Sequence, residues 1–212
     1  MRWALALMVV AACTSDVTFG QVEAIDDGSG MLDMRACLDA QLFSCDGQSV
    51  VLTTVHDDSA GTMTFAGIIF PRHVGSLPLG NAETPIVVAD GDARVEMRLP
   101  TAFEPTSDVT GPLHSADTVH VRWHGADEPM VWHAHGTCNV LPTYPSGTIE
   151  TIDDDGTLDV SIAALEKQME RSLSGCAVDI ELSRVREGSV DDAFRAESAT
   201  GIVRRTVTVT VE

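Results

Sequence analysis

The sequence is short of positive charge: 13 Lys and Arg stand against 32 Asp and Glu, a formal charge of −19. A surface of that sign repels phosphate backbones and anionic head groups, so nucleic acid is not an expected partner and no basic patch assists membrane binding. Long hydrophobic runs are also missing. The apolar stretch near the start, residues 3–10, is too short to cross a bilayer as a helix. Asparagine occurs only at Asn81 and Asn139, and neither opens a glycosylation sequon. The chain has no G-x-S-x-G elbow, no G-x-x-x-x-G-K-[ST] loop, no H-E-x-x-H and no S-x-x-K, which removes the usual signatures of catalysis. Paired CxxC motifs are absent too, which excludes the common closed zinc sites. The expectation is a non-catalytic protein with no cofactor.

What is present begins at the N-terminus. Arg2, an apolar run from Trp3 to Val10, and Ala11-Ala12-Cys13 form a charged, a hydrophobic and a small-residue region in the order of an export signal. Val10-Ala11-Ala12-Cys13 also resembles the lipobox of bacterial lipoproteins. The resemblance implies cleavage after residue 12, a lipid on the Cys13 thiol, and a protein anchored to a membrane surface, where each buried methylene contributes about 0.8 kcal/mol. The expected location is extracytoplasmic, in a bacterial cell envelope, at the outer membrane. Thiols oxidise there, and the remaining cysteines, Cys37, Cys45, Cys138 and Cys176, are even in number. Three connectivities are open; local pairing of Cys37 with Cys45 and of Cys138 with Cys176 rearranges the chain least.

Short β-branched or alternating runs recur at residues 17–25, 31–37, 49–56, 62–70, 85–89 and 94–99. Turn residues separate them at 26–30, 59–61 and Asp90-Gly91, the last being the strongest hairpin signal of this half. Residues 100–108, with Pro100 and Pro105, form the candidate linker. Strand patterns resume at 118–124, 130–138, 147–152, 157–162, 177–186 and 201–211. The pattern predicts an all-β protein, an antiparallel β-sandwich of two units: an N-terminal β-rich domain over 13–104 and a second domain over 105–212. One helix interrupts it. Ile162, Leu165, Met169 and Leu173 recur at helical spacing over 161–173, closed by Gly175.

The second domain resembles the immunoglobulin- or fibronectin-like sandwich ectodomains of exported bacterial lipoproteins. The matching features are a strand ending in Trp123, a strand ending in Cys138, the acidic turn Asp155-Gly156, and a strand that opens with Cys176 and closes with Arg184-x-Arg186-x-Gly188. The resemblance covers residues 105–212 and implies a fold more than an activity. Cysteine placement departs from antibody domains, so their inter-sheet disulfide is not carried over.

The stretch "VWHAHGTC", residues 131–138, raises the one metal question. On each flanking strand alternation sets the tryptophan on one face and the histidines on the other: Trp123 against His120, Arg122 and His124, and Trp132 against His133 and His135. With residues 125–129 as a hairpin loop, His120, His124, His133 and His135 would share one outer patch within reach of Zn(II) or Cu(II). Arg122 in its midst opposes a cation. The aspartates at 26–27, 57–58, 90–92 and 153–155 are consecutive or paired at turns and read as turn formers, although Asp153 and Asp155 could serve calcium. The function expected is a lipid-anchored binding, adhesion or structural module of the envelope, its partner a protein or glycan. The alternatives are an envelope metal-binding protein and a hydrolase of envelope polymers that keeps carboxylates in a concave pocket.

Overall fold

Period-two burial runs along most strands of the chain, and it sets the architecture. The structure, a computed structural model, describes residues 19–38, 51–66, 72–138 and 149–212. The expected signal segment 1–12, Cys13 and Cys45 lie outside the described residues. In chain order the strands are β1 (Phe19–Asp26), β2 (Met31–Leu38), β3 (Leu52–His56), β4 (Ser59–Ala66), β5 (Arg72–Pro78), β6 (Ile86–Asp90), β7 (Ala93–Met97) and the short β8 (Thr106–Ser107). They continue with β9 (Thr118–Arg122), β10 (Met130–Cys138), β11 (Glu150–Ile152), β12 (Thr157–Ser161), β13 (Cys176–Glu187), β14 (Ser189–Val190) and β15 (Ala196–Val211), and helix α1 (Ile162–Gln168) follows β12.

The fold is all-β and sandwich-like. The larger sheet runs β11-β10-β13-β15-β1-β2-β5-β4-β3-β6-β7-β14, and a smaller one runs β12-β9-β8. Every pairing between these strands is antiparallel except β1 with β15, which runs parallel from Phe19 opposite Ala196 to Asp26 opposite Val203. The larger sheet curls until its far end meets β15. Gly188 donates its N–H to the Ala199 carbonyl at 2.8 Å, and a Cβ on Gly188 would lie 2.5 Å from the Glu96 carbonyl oxygen, so that contact admits glycine alone.

The expected division near residue 105 falls between β7 and β8, yet the long strand β15 serves both sides of it. Its first half pairs with β1, and Thr200 to Val211 pair with β13. Inward side chains from both sheets join one apolar cluster: Val119, Val121 and Trp123 from the smaller sheet, and Trp132, Ile180 and Leu182 from the larger.

Local chemistry explains most turns. The hairpin marked by Asp90-Gly91 forms: Asp90 pairs with Ala93 across the two-residue loop Gly91-Asp92, one residue on, in which Gly91 takes φ +59° as a glycine-first turn requires. The turn expected at 59–61 sits two residues earlier: His56 pairs with Ser59, Asp57 adopts φ 53°, and Gly61 lies inside β4. Aspartate tolerates that left-handed conformation better than most residues.

The helix is shorter than its apolar spacing predicts. Ser161 caps its start by accepting from the Ala164 N–H at 3.4 Å, and it ends at Met169 because Glu170 turns left-handed. Glu166 then folds back over the next turn, accepting from the Leu173 N–H at 2.9 Å and from Ser172 Oγ at 3.2 Å. Leu173 is still buried, but as core beyond the helix rather than as its last turn.

His56 is fully buried, paired with Ser59 on one side and Ile86 on the other, and among the described residues neither ring nitrogen has a hydrogen-bond partner. A buried polar group left unpaired costs about 1–3 kcal/mol, so His56→Leu is expected to raise stability by an amount of that order. Chemical denaturation of the two proteins checks this; a loss of stability in the variant contradicts it.

Candidate functional site

The motif Arg184-x-Arg186-x-Gly188 lies at the end of β13, where it clamps three loops. Arg184 is completely buried and grips Asp154 with two hydrogen bonds, Nε to Oδ2 at 2.8 Å and Nη2 to Oδ1 at 2.9 Å. Its remaining donors reach the Thr101 carbonyl at 2.9 Å and the His124 carbonyl, and its guanidinium lies 4.7 Å from the Phe103 ring centroid. Asp154 also accepts from the Trp123 indole at 2.7 Å and from the Ala126 N–H at 3.1 Å. Next to it, Arg186 pairs with Glu128 and donates to the Leu99 carbonyl at 2.9 Å, while Glu128 accepts from the Thr101 N–H at 2.7 Å.

A buried pair of charges is tolerable only when each is fully hydrogen-bonded, and here each is. Burial pushes the Asp154 carboxyl up, but Arg184, the Trp123 indole and the Ala126 amide together hold it below the ordinary 3.8. Burial likewise raises Glu128, and the Thr101 amide with Arg186 outweighs it, leaving the group below 4.5. The arrangement ties the candidate linker to the sandwich. Its polar groups are consumed by that task.

Alternation held on both histidine strands: Trp123 and Trp132 are buried, while His124 is exposed and His120, His133 and His135 are part-exposed. The shared patch did not form. β9 pairs with β12 and β8, whereas β10 pairs with β13 and β11, so the two strands stand in different sheets and residues 125–129 are a crossover rather than a hairpin loop.

Asp154 and two close backbone approaches explain the crossover. Trp123 donates its N–H to the Gly156 carbonyl at 3.0 Å, and a Cβ on Gly125 would fall 2.5 Å from the Asp154 carbonyl oxygen. The acidic turn therefore occupies the place a hairpin partner would take. Asp155 serves that turn directly, accepting from the Thr157 N–H at 3.0 Å.

The four histidines thus divide into two settings. On the smaller sheet, His120 Nδ1 lies 2.6 Å from Asp159 Oδ1, and this hydrogen bond with the carboxylate charge raises the imidazole above 6.5. The pair borders a hollow of about 290 Å³ shared with Arg122 and Thr157. Asp159 is 70% exposed, so the contact is solvated.

On the larger sheet, β10 and β13 set His133 opposite Glu181 and His135 opposite Asp179. His133 Nδ1 is 3.6 Å from Glu181 and His135 Nε2 is 3.3 Å from Asp179, with the two rings stacked at 5.6 Å between centroids. Among the described residues no group of three or more His, Cys, Asp or Glu side chains is placed to hold a metal ion.

The register of this face is locked at its end. Cys138 and Cys176 stand directly opposite each other and are joined as a disulfide. Cys37, half-buried at the end of β2, carries a thiol that burial and the charge of Glu23 push up; its expected partner Cys45 lies outside the described residues. No helix among the described residues is long and apolar enough to cross a membrane. No family model matches the chain, and no curated protein matches it.

Proposed function

We propose that the chain is a lipid-anchored, extracytoplasmic protein of a bacterial cell envelope, and that its sandwich serves as a non-catalytic binding or structural module. The observation that carries this reading is the segment Arg2 to Cys13, with a charged start, an apolar run and Val10-Ala11-Ala12-Cys13 a few residues ahead of β1. Lipid on Cys13 would hold the sandwich close to the membrane with its polar outer faces turned to solvent. The Cys138–Cys176 disulfide agrees with an oxidising compartment. The lipoprotein ectodomain resemblance of residues 105–212 points to the same class.

The acidic surface favours a cation or a basic protein surface over nucleic acid. A protein or glycan partner would meet the strand edges and end loops, where a rigid sheet presents variable side chains. Cys13→Ser is expected to move the protein from the membrane fraction to the soluble fraction of the expressing bacterium. Retention of the variant in the membrane overturns the lipid anchor.

A further inference from the structure

We propose that His133 and His135 form an open two-imidazole site for a divalent cation, Cu(II) ahead of Zn(II), on the outer face of the larger sheet. This goes beyond the envelope reading and does not depend on the anchor.

Both side chains leave β10 on the same face, about one quarter exposed, with Ala134 between them buried. Their ring centroids lie 5.6 Å apart at an interplanar angle of 28°. Two imidazoles bound to one ion through bonds of about 2.0–2.1 Å have centroids roughly 5–6.5 Å apart. The strand therefore holds the two rings at a spacing that one ion can bridge.

A metal-binding imidazole needs its second nitrogen engaged by an acceptor, which fixes the tautomer and strengthens the lone pair. Both rings have a carboxylate within 3.3–3.6 Å, close enough to become that acceptor once an ion binds. Glu181 Oε1 lies beside His133 Nδ1, and Asp179 Oδ2 lies beside His135 Nε2, each carboxylate on the strand position directly opposite. A carboxylate oxygen there favours the proton on that nitrogen, leaving Nε2 of His133 and Nδ1 of His135 as lone-pair donors.

The carboxylates are themselves held from β15. Arg204 Nε reaches Glu181 at 3.0 Å, and Thr208 Oγ1 donates to Asp179 at 2.5 Å. Three adjacent strands thus contribute an ordered row: anchor, carboxylate, imidazole. Glu181 also offsets the charge of Arg204, so the face is not closed to a cation. Two protein nitrogens leave coordination positions for water or for an oxygen from a partner, a donor set that suits tetragonal Cu(II) best in the order of divalent metal affinities.

The test is titration of Cu(II) into the full chain in mild detergent, with accessible thiols alkylated, followed by calorimetry and electron paramagnetic resonance. One equivalent is expected to bind at micromolar concentration, with hyperfine coupling from two imidazole nitrogens. His133→Ala/His135→Ala should abolish that signal, His120→Ala/His124→Ala should leave it, and Asp179→Asn should weaken binding by about 10- to 100-fold. Circular dichroism confirms folding of each variant, and His133→Gln/His135→Gln replaces the alanine pair if it fails to fold. Equal binding by the His133/His135 variant, loss in the His120/His124 variant, or no micromolar binding overturns the site.

Discussion

Asp154→Ala is expected to destabilise the protein by about 3–5 kcal/mol, a fall of roughly 6–20 °C in melting temperature for a chain of this length. The variant leaves the fully buried Arg184 guanidinium with only carbonyl oxygens and the face of Phe103 around it. The Trp123 indole and the Ala126 amide lose their acceptor in the same step.

The pair is costly to break, not costly to lack. Arg184→Met combined with Asp154→Leu should therefore recover much of the deficit, because it removes both charges and keeps the volume filled. Thermal unfolding of the single and double variants closes that cycle; a double variant as damaged as the sum of its parts contradicts it.

The same clamp sets an acid limit. Asp154 and Glu128 are both held below their ordinary values of 3.8 and 4.5, so their stabilisation is complete above those values and drains away as pH falls through the lower folded-state values. Unfolding measured below about pH 4 should show this slope, and Asp154→Asn should reduce it.

The second large effect is the disulfide. Cys138 and Cys176 are 38 residues apart in sequence, and cross-linking a loop of that length removes unfolded-state entropy worth about 4 kcal/mol in the chain-entropy account. Cys138→Ala/Cys176→Ala should lose that stabilisation, and the wild-type protein should match the double variant once reduced. Melting unchanged by reductant contradicts it. The Cys138–Cys176 link also fixes the register that sets His133 against Glu181, so its loss should loosen that face first.

Much of this was legible in the sequence because it is local. Strand alternation placed Trp123 and Trp132 inward, Asp90-Gly91 marked a tight hairpin, and Cys138 paired with Cys176. What failed was the choice of neighbour. A connection the length of residues 125–129 suits a hairpin or a crossover equally, and the residue that decides, Asp154, reads in sequence as one more turn aspartate. Only burial against Arg184 distinguishes it. The parallel pairing of β1 with β15 was beyond local reasoning, since it joins the two ends of the described chain.

Asp179 and Glu181 are a different case, because the signal for them was present. An antiparallel register through Cys138 opposite Cys176 places His135 opposite Asp179 and His133 opposite Glu181, as the structure has it. The disulfide pairing is itself the ruler, because it fixes which residues of β10 and β13 face each other.

Intact-mass and N-terminal peptide measurement of the protein purified from bacterial membranes tests the envelope account most directly. The account predicts a chain that begins at Cys13, with diacylglyceryl on its sulfur. A membrane-derived chain that retains residues 1–12, or one that begins beyond Cys13 with no lipid, contradicts it.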